Sequence, residues 1–376
     1  MRNWFKSGKD GEPASKQAEA KVDSLPSVPI VTLPKSGTDF TVNGLLTTSR
    51  MKLPDVYRDA EVMEGIRTGY TPDDPRLIST GNFDTQTLNV AALKLYRANG
   101  HIVPMHMAAS HHNIMALTEA GHKRLTLIMR EPRDATVSLT HHIAKAGPDL
   151  RNLHTEFQYV PIDYHDWPHP RQVDYQVRIF LPRAVSWIES WLGAIALYPD
   201  LEVQLLHFDD LRHDSTGFLK QVIEYHGIPS ADLSLLPAPK ASAHFRSGQH
   251  DQWRTEFDEE AIRYSDWLIG DRLAIAYKKA VAALLDRAAQ AEVEEGAVEG
   301  ASRTRERSRR LLDIVRTFPW VGAGFDAYRE LRRATGVPIA DGLEKEVADY
   351  LESAPPVMKK PWDVVTALSE EFDTAH

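Results

Sequence analysis

Val28-Pro-Ile-Val-Thr-Leu-Pro-Lys35-Ser-Gly37-Thr38-Asp-Phe40 decides the fold: an apolar run of β-type residues turns through Pro-Lys-Ser-Gly-Thr into a stretch that can continue as a helix. A strand feeding such a turn aims several backbone N–H groups, a helix N-terminus and the Lys35 ammonium at one small volume, which makes a cradle for phosphate. The ordinary P-loop spacing Gly-x-x-x-x-Gly-Lys-[Ser/Thr] is absent, because Lys35 comes before its glycine. Taken alone, a short Lys-Ser-Gly-Thr turn serves equally well to cap any helix, so the rest of the chain has to decide.

Outward from that turn, strand-like, loop and helical segments alternate. A helix fits residues 38–48, and residues 50–76 are polar and broken by Pro54, Pro72 and Pro75, as in a surface insertion. A short β-like stretch follows at Leu77, after which Asp84 or Thr85 is placed to cap a helix carrying Leu88, Ala91, Ala92, Leu95 and Tyr96, ended by Gly100. Residues 101–106 read as a second central strand and residues 108–120 as a helix stopped by Gly121. The continuous apolar run at residues 124–129 is of the kind found in parallel sheets, and Asp134 is placed to start the helix after it. Residues 147–174, rich in Pro, His, Tyr and Trp, read as an irregular loop over the site. A long helix over 175–197 sets Trp187 and Trp191 one turn apart, and a strand at 202–208 precedes helices at about 216–225 and 259–294. The pattern predicts an α/β fold, a doubly wound and mainly parallel sheet flanked by helices, with ligands beyond the carboxyl ends of the strands.

The bulk numbers narrow the function. A chain of 376 residues, 42% of them hydrophobic, can bury a large core. Its net charge of -9 argues against a general nucleic-acid binder, so an anionic ligand needs a local positive pocket. The absence of cysteine excludes disulfides, thiolate metal sites and cysteine nucleophiles. The N-terminus lacks the apolar segment of a signal peptide and no run of about 18 apolar residues occurs, so a cytoplasmic protein without a transmembrane segment is expected. Residues 1–26, dominated by Gly, Pro, Ser, Lys and Glu, read as a disordered tail.

Two more elements carry chemistry. Arg130-x-Pro132-x-Asp134-x-x-Val137-Ser138 stands where a strand hands over to a helix; an arginine fork and a first-turn hydroxyl there can share one anion, although an arginine capping a strand has the same appearance. Phe245-Arg246-Ser247-Gly248-Gln-His-Asp251-Gln-Trp253 lies in a polar stretch between helical regions, where an exposed turn is the plainer reading. Together with the Lys35 turn, and in the same order, these resemble the signatures of sulfotransferases that use 3'-phosphoadenosine 5'-phosphosulfate (PAPS). His207-Phe-Asp-Asp-Leu211 resembles the Tyr-Glu-Asp-Leu strand end of that family. The resemblance spans about residues 28–257.

The resemblance implies a P-loop-kinase-like fold without a metal requirement, in a sulfotransferase domain over 27–290 with a helical C-terminal extension over 291–376. It implies that Lys35, Ser36, Gly37, Thr38, Asp39 and Phe40 hold the 5'-phosphosulfate and that Arg130 and Ser138 bind the 3'-phosphate. Arg246, Ser247 and Gly248 would close over it. Lys35 would stabilise the leaving phosphate, and His106 would take the proton of a hydroxyl or amine on a glycan, glycolipid or small-molecule acceptor, leaving adenosine 3',5'-bisphosphate (PAP). His111 and His112 stand close by as other bases, and a homo-oligomer is left open. The chain departs from the family at Asp39, at Phe40 for Trp, at Pro104 for Lys, at Ser247 for Lys and at His250 for Gly; Asp39 is expected to turn away from the phosphosulfate, to pair with an arginine, or to touch the acceptor. A P-loop-type kinase and a non-catalytic binding relative are the rival readings.

Overall fold

A computed structural model describes residues 25–58, 77–80, 82–146, 160–229, 231–236 and 252–294. The first strand, β1 (Val28–Thr32), leads through the Lys35 turn into α1 (Thr38–Thr48). A two-stranded antiparallel pair, β2 (Ser79–Thr80) and β3 (Thr87–Leu88), precedes α2 (Val90–Ala98), β4 (Ile102–Met105), α3 (His111–Glu119), β5 (Arg124–Met129) and α4 (Pro132–Ala146). The long α5 (His169–Leu197), β6 (Glu202–His207), α6 (Phe208–His213), α7 (Ser215–His226), α8 (Trp253–Glu256) and α9 (Glu259–Glu294) complete the described elements.

Strands β4, β1, β5 and β6 pair in that order, all parallel. The chain steps from β1 outward to β4, then crosses back over β1 to β5 and on to β6, so the direction of winding reverses beside β1. That reversal opens a crevice at the carboxyl ends of the strands, the place where such sheets bind ligands. Each strand divides its apolar side chains between two layers. Val28, Ile30, Ile102, Ile128 and Leu206 face a layer built with Val42 and Leu45 of α1 and Phe218, Leu219 and Val222 of α7. Val31, Val103, Met105, Leu127, Met129 and Leu205 face the larger layer that holds Leu117, Val137, Phe180, Trp187 and Trp191. Burial on both faces is why these strands read as continuous apolar runs.

The prolines fit the topology. Pro104 sits in β4, an edge strand, and Pro29 stands one residue before β1 begins to pair with β5 at Ile30, so neither removes a needed ladder hydrogen bond. Gly44 lets α1 approach α7, since a Cβ there would stand 2.4 Å from Leu219 Cδ1.

Four expected boundaries shift for local reasons. The α2 helix is capped by Asn89, whose side chain accepts from Ala91 and Ala92 N–H, while Asp84 is held in an ion pair with Arg183 and Thr87–Leu88 are taken by the β2–β3 pair. The α3 helix starts only at His111, because Ser110 accepts from the Asn113 amide. The α4 helix starts at Pro132 rather than Asp134: Pro132 is pre-set for the first helical position, and the Glu131 carboxylate accepts from Asp134 N–H at 2.8 Å. The α5 helix starts at His169, six residues inside the stretch read as irregular, because Pro168 precedes it and Pro170 sits in its first turn, where a missing N–H costs nothing. Residues 1–24, 59–76, 147–159 and 295–376, which take in most of the tail expected over 1–26, the insertion over 50–76 and the extension over 291–376 and half of the loop over 147–174, lie outside the described residues. No helix among the described residues is long and apolar enough to cross a membrane.

Candidate functional site

The turn after β1 is shaped by its backbone. Lys35 adopts φ 70° and Gly37 φ 88°, both left-handed, and the Ser36 amide closes the turn by donating to Leu33 O at 3.1 Å. A side chain at position 37 would be strained twice, by its φ and by a Cβ 2.4 Å from Leu211 Cδ2 and 3.3 Å from Phe208 Cδ2. The segment from His207 to Leu211, singled out in the sequence as a family-like strand end, is therefore the floor beneath the turn. From the β5 side, Arg130 donates to Lys35 O at 2.9 Å while its guanidinium stacks 4.3 Å over the Phe208 ring. Leu33 N–H also donates to Ile128 O, carrying the β1–β5 ladder to the start of the turn.

This cradle holds a donor that the described residues leave unmatched. Gly37 caps α1 and, lacking a side chain, puts no acceptor of its own over the first turn. The Ser36 hydroxyl is wholly buried and has no hydrogen-bond partner among the described residues. Leaving such a group unpaired costs roughly 1–3 kcal/mol, which an oxyanion in the cradle would recover.

His106 follows β4 directly and reaches across to β1. Its Nδ1 lies 2.8 Å from Thr32 O and 3.1 Å from Thr32 Oγ1, and Thr32 Oγ1 in turn is 2.6 Å from Thr38 Oγ1 at the head of α1. A carbonyl oxygen only accepts, so Nδ1 carries the proton and the basic lone pair is on Nε2. Burial holds the His106 pKa below 6.5; the Thr32 carbonyl and the Asp39 charge oppose that shift, and the Lys35 ammonium adds to it. Asp39, in the first turn of α1, thus acts on the histidine. Phe40 packs against the α1–α7 layer.

The segment carrying His106 is pinned by α5. Trp187 Nε1 donates to the carbonyls of His106 at 2.7 Å and Met107 at 2.9 Å, Trp191 Nε1 donates to Met107 O at 3.0 Å, and Ala109 N–H donates to Ser190 Oγ at 3.0 Å. The tryptophan spacing was visible in the sequence, but its partner backbone some 80 residues away was not. By contrast His111 and His112 are exposed on α3, and His111 Nδ1 is engaged by the Tyr198 hydroxyl at 2.8 Å.

The strand order thus brings Lys35, Ser36, Gly37, Thr38, Asp39, Arg130 and His106 to one end of the sheet. Ser138 is half-buried two turns along α4 from Arg130. Arg246, Ser247 and Gly248 lie outside the described residues. Trp253 is buried beside this end, with the guanidiniums of Arg133 and Arg254 over its ring at 4.0 Å and 4.5 Å. Arg133 is itself buried and paired to Glu131 at 2.8 Å and Asp266 at 2.7 Å. Burial pushes the Glu131 carboxyl up to about 7, against the pull of Arg133. Thr32, Trp187, Phe208 and Arg133 were not named as site residues, although Phe208 lies in the strand-end segment and Trp187 in the tryptophan pair that the sequence singled out.

A family model described as a sulfotransferase domain matches residues 25–276. No curated protein matches the chain. Among solved structures, mouse sulfotransferase SULT7A1 complexed with PAP aligns with 66% of this chain and 84% of its own, at 16% identity and a TM-score of 0.38.

Proposed function

The chain belongs to the sulfotransferase domain family, and from that premise we propose that it transfers a sulfuryl group from PAPS to a hydroxyl or amine of a glycan, glycolipid or small-molecule acceptor. The observation that carries this reading is the buried, unpartnered Ser36 hydroxyl between Lys35 and Gly37, at the head of a helix with no side-chain cap. An orphaned hydroxyl and an ammonium in one turn fit the 5'-phosphosulfate end of PAPS. When bound, PAPS supplies an SO3 unit for in-line transfer with the 5'-phosphate as leaving group.

The residues of the chain then divide the work. The Lys35 ammonium offsets negative charge growing on the leaving phosphate, helped by the Ser36 hydroxyl and the amides of Gly37 and Thr38. His106 Nε2 takes the proton of the acceptor, and its depressed pKa keeps it neutral and ready at physiological pH. Thr32 fixes the ring by accepting from Nδ1–H, and the Asp39 charge favours the imidazolium that forms. Arg130, oriented by Lys35 O and Phe208, is the residue for the 3'-phosphate, with Ser138 as its companion and Arg246, Ser247 and Gly248 as the covering segment.

Calorimetry with PAP in the presence of a chelator tests the assignment. The wild type is expected to bind, and Lys35→Ala and Arg130→Ala are each expected to bind at least about tenfold more weakly, the loss typical of a charge-assisted contact. A folded wild type that ignores PAP would overturn it.

A further inference from the structure

We propose that His141, His169 and Glu256 form a binding site for a first-row divalent cation, Zn2+ foremost, that fastens α8 to α4 and α5. His141 Nε2 lies 2.9 Å from each Glu256 carboxylate oxygen, and His169 Nε2 lies 2.8 Å from Oε2. The two imidazole rings are 4.6 Å apart between centroids, and one ligand atom from each residue falls within 4.8 Å of the others. All three side chains are half-buried, and they come from positions 87 and 115 residues apart in the chain.

The donor set selects the ligand. Two imidazole nitrogens and one carboxylate oxygen are the borderline donors that Zn2+ and its neighbours prefer over Mg2+ or Ca2+, which take oxygen shells. Without a cation, two imidazole N–H groups crowd one carboxylate. With one, each Nε2 gives up its proton to solvent and presents a lone pair to the metal, and Glu256 balances one unit of its charge. Three protein ligands leave at least one position for water.

The position gives the cation a structural consequence. Glu256 ends α8, the four-residue helix that begins at Trp253, and Trp253 is wedged under Arg133, three residues beyond Arg130. A cation there would fix the point at which the chain returns to the sheet end. The site shares no residue with the cradle, so it stands or falls independently of the reaction proposed above.

The test uses the full untagged chain, stripped with a chelator and titrated with Zn2+ by calorimetry and thermal unfolding. One Zn2+ per chain, a raised Tm on loading, and at least about tenfold weaker binding in His169→Ala and in Glu256→Gln are expected. Folded wild type that takes up no Zn2+ would overturn the site, as would binding unchanged in the His141→Ala/His169→Ala double variant. Should the variants fail to fold, Co2+-loaded wild type decides: ligand-field bands of a four- or five-coordinate nitrogen and oxygen site support the assignment, and the spectrum of hexaaqua Co2+ refutes it.

Discussion

Two segments leave neighbouring strands at the same end of the sheet, yet they are held in opposite ways. The turn after β1 is held through its backbone, by Arg130 on the Lys35 carbonyl and by contact of Gly37 with Leu211 and Phe208, and it keeps the Ser36 hydroxyl unmatched. The segment after β4 is held by side chains, with Trp187, Trp191 and Ser190 of α5 meeting its backbone polar groups and Thr32 meeting the His106 ring. On the proposed reading a ligand completes the first arrangement, whereas the second has its backbone carbonyls and ring already met by the protein. A site that must grip an anion leaves donors open, whereas a site that must aim one lone pair closes every other contact.

That contrast can be broken most severely at His106. The variant His106→Ala is expected to lose about 10²–10⁴-fold in kcat while PAP affinity stays within about twofold, because the ring aims a base and the cradle grips the anion. In the wild type, the acid limb of the kcat/KM profile should have its midpoint below 6.5, since burial lowers the folded pKa and the neutral, active ring persists to lower pH. A midpoint above 6.5, or a His106→Ala enzyme of normal rate, would remove the base assignment.

Lys35→Ala comes next, with about 10²–10³-fold lost in kcat and PAP binding weakened in parallel, measured by initial rates and calorimetry. The smallest effect is the sharpest discriminator: Trp187→Phe keeps most of the packing but deletes the N–H that meets the His106 and Met107 carbonyls. About tenfold in kcat and roughly 1–3 kcal/mol in stability should go, with KM for PAPS unmoved. A change in KM alone would mean that α5 supports the cradle rather than the base.

The same contrast explains what the sequence could and could not disclose. The cradle was legible because its parts are consecutive: strand, left-handed turn and helix lie within residues 28–48 and obey local rules. Arg130 and His106 were legible as residues at strand ends. What pins His106 was not, because hydrogen bonding between an indole of α5 and a carbonyl after β4 depends on packing across some 80 residues, and no local pattern encodes it. The start of α5 was hidden by composition: Pro168 and Pro170 look like breakers until they are placed at a helix N-terminus, where they act as starters. His141, His169 and Glu256 gave no signal, since they meet only through the fold.

Lys35 sets a further condition on the protein. Its backbone sits at φ 70°, a conformation that costs an ordinary L-residue about 1–2 kcal/mol and glycine almost nothing. Libraries screened only for thermostability will therefore enrich Lys35→Gly, ranking highly the very variants from which the ammonium has gone. If Lys35 has the role proposed for it, selection for robustness and selection for turnover pull this position in opposite directions.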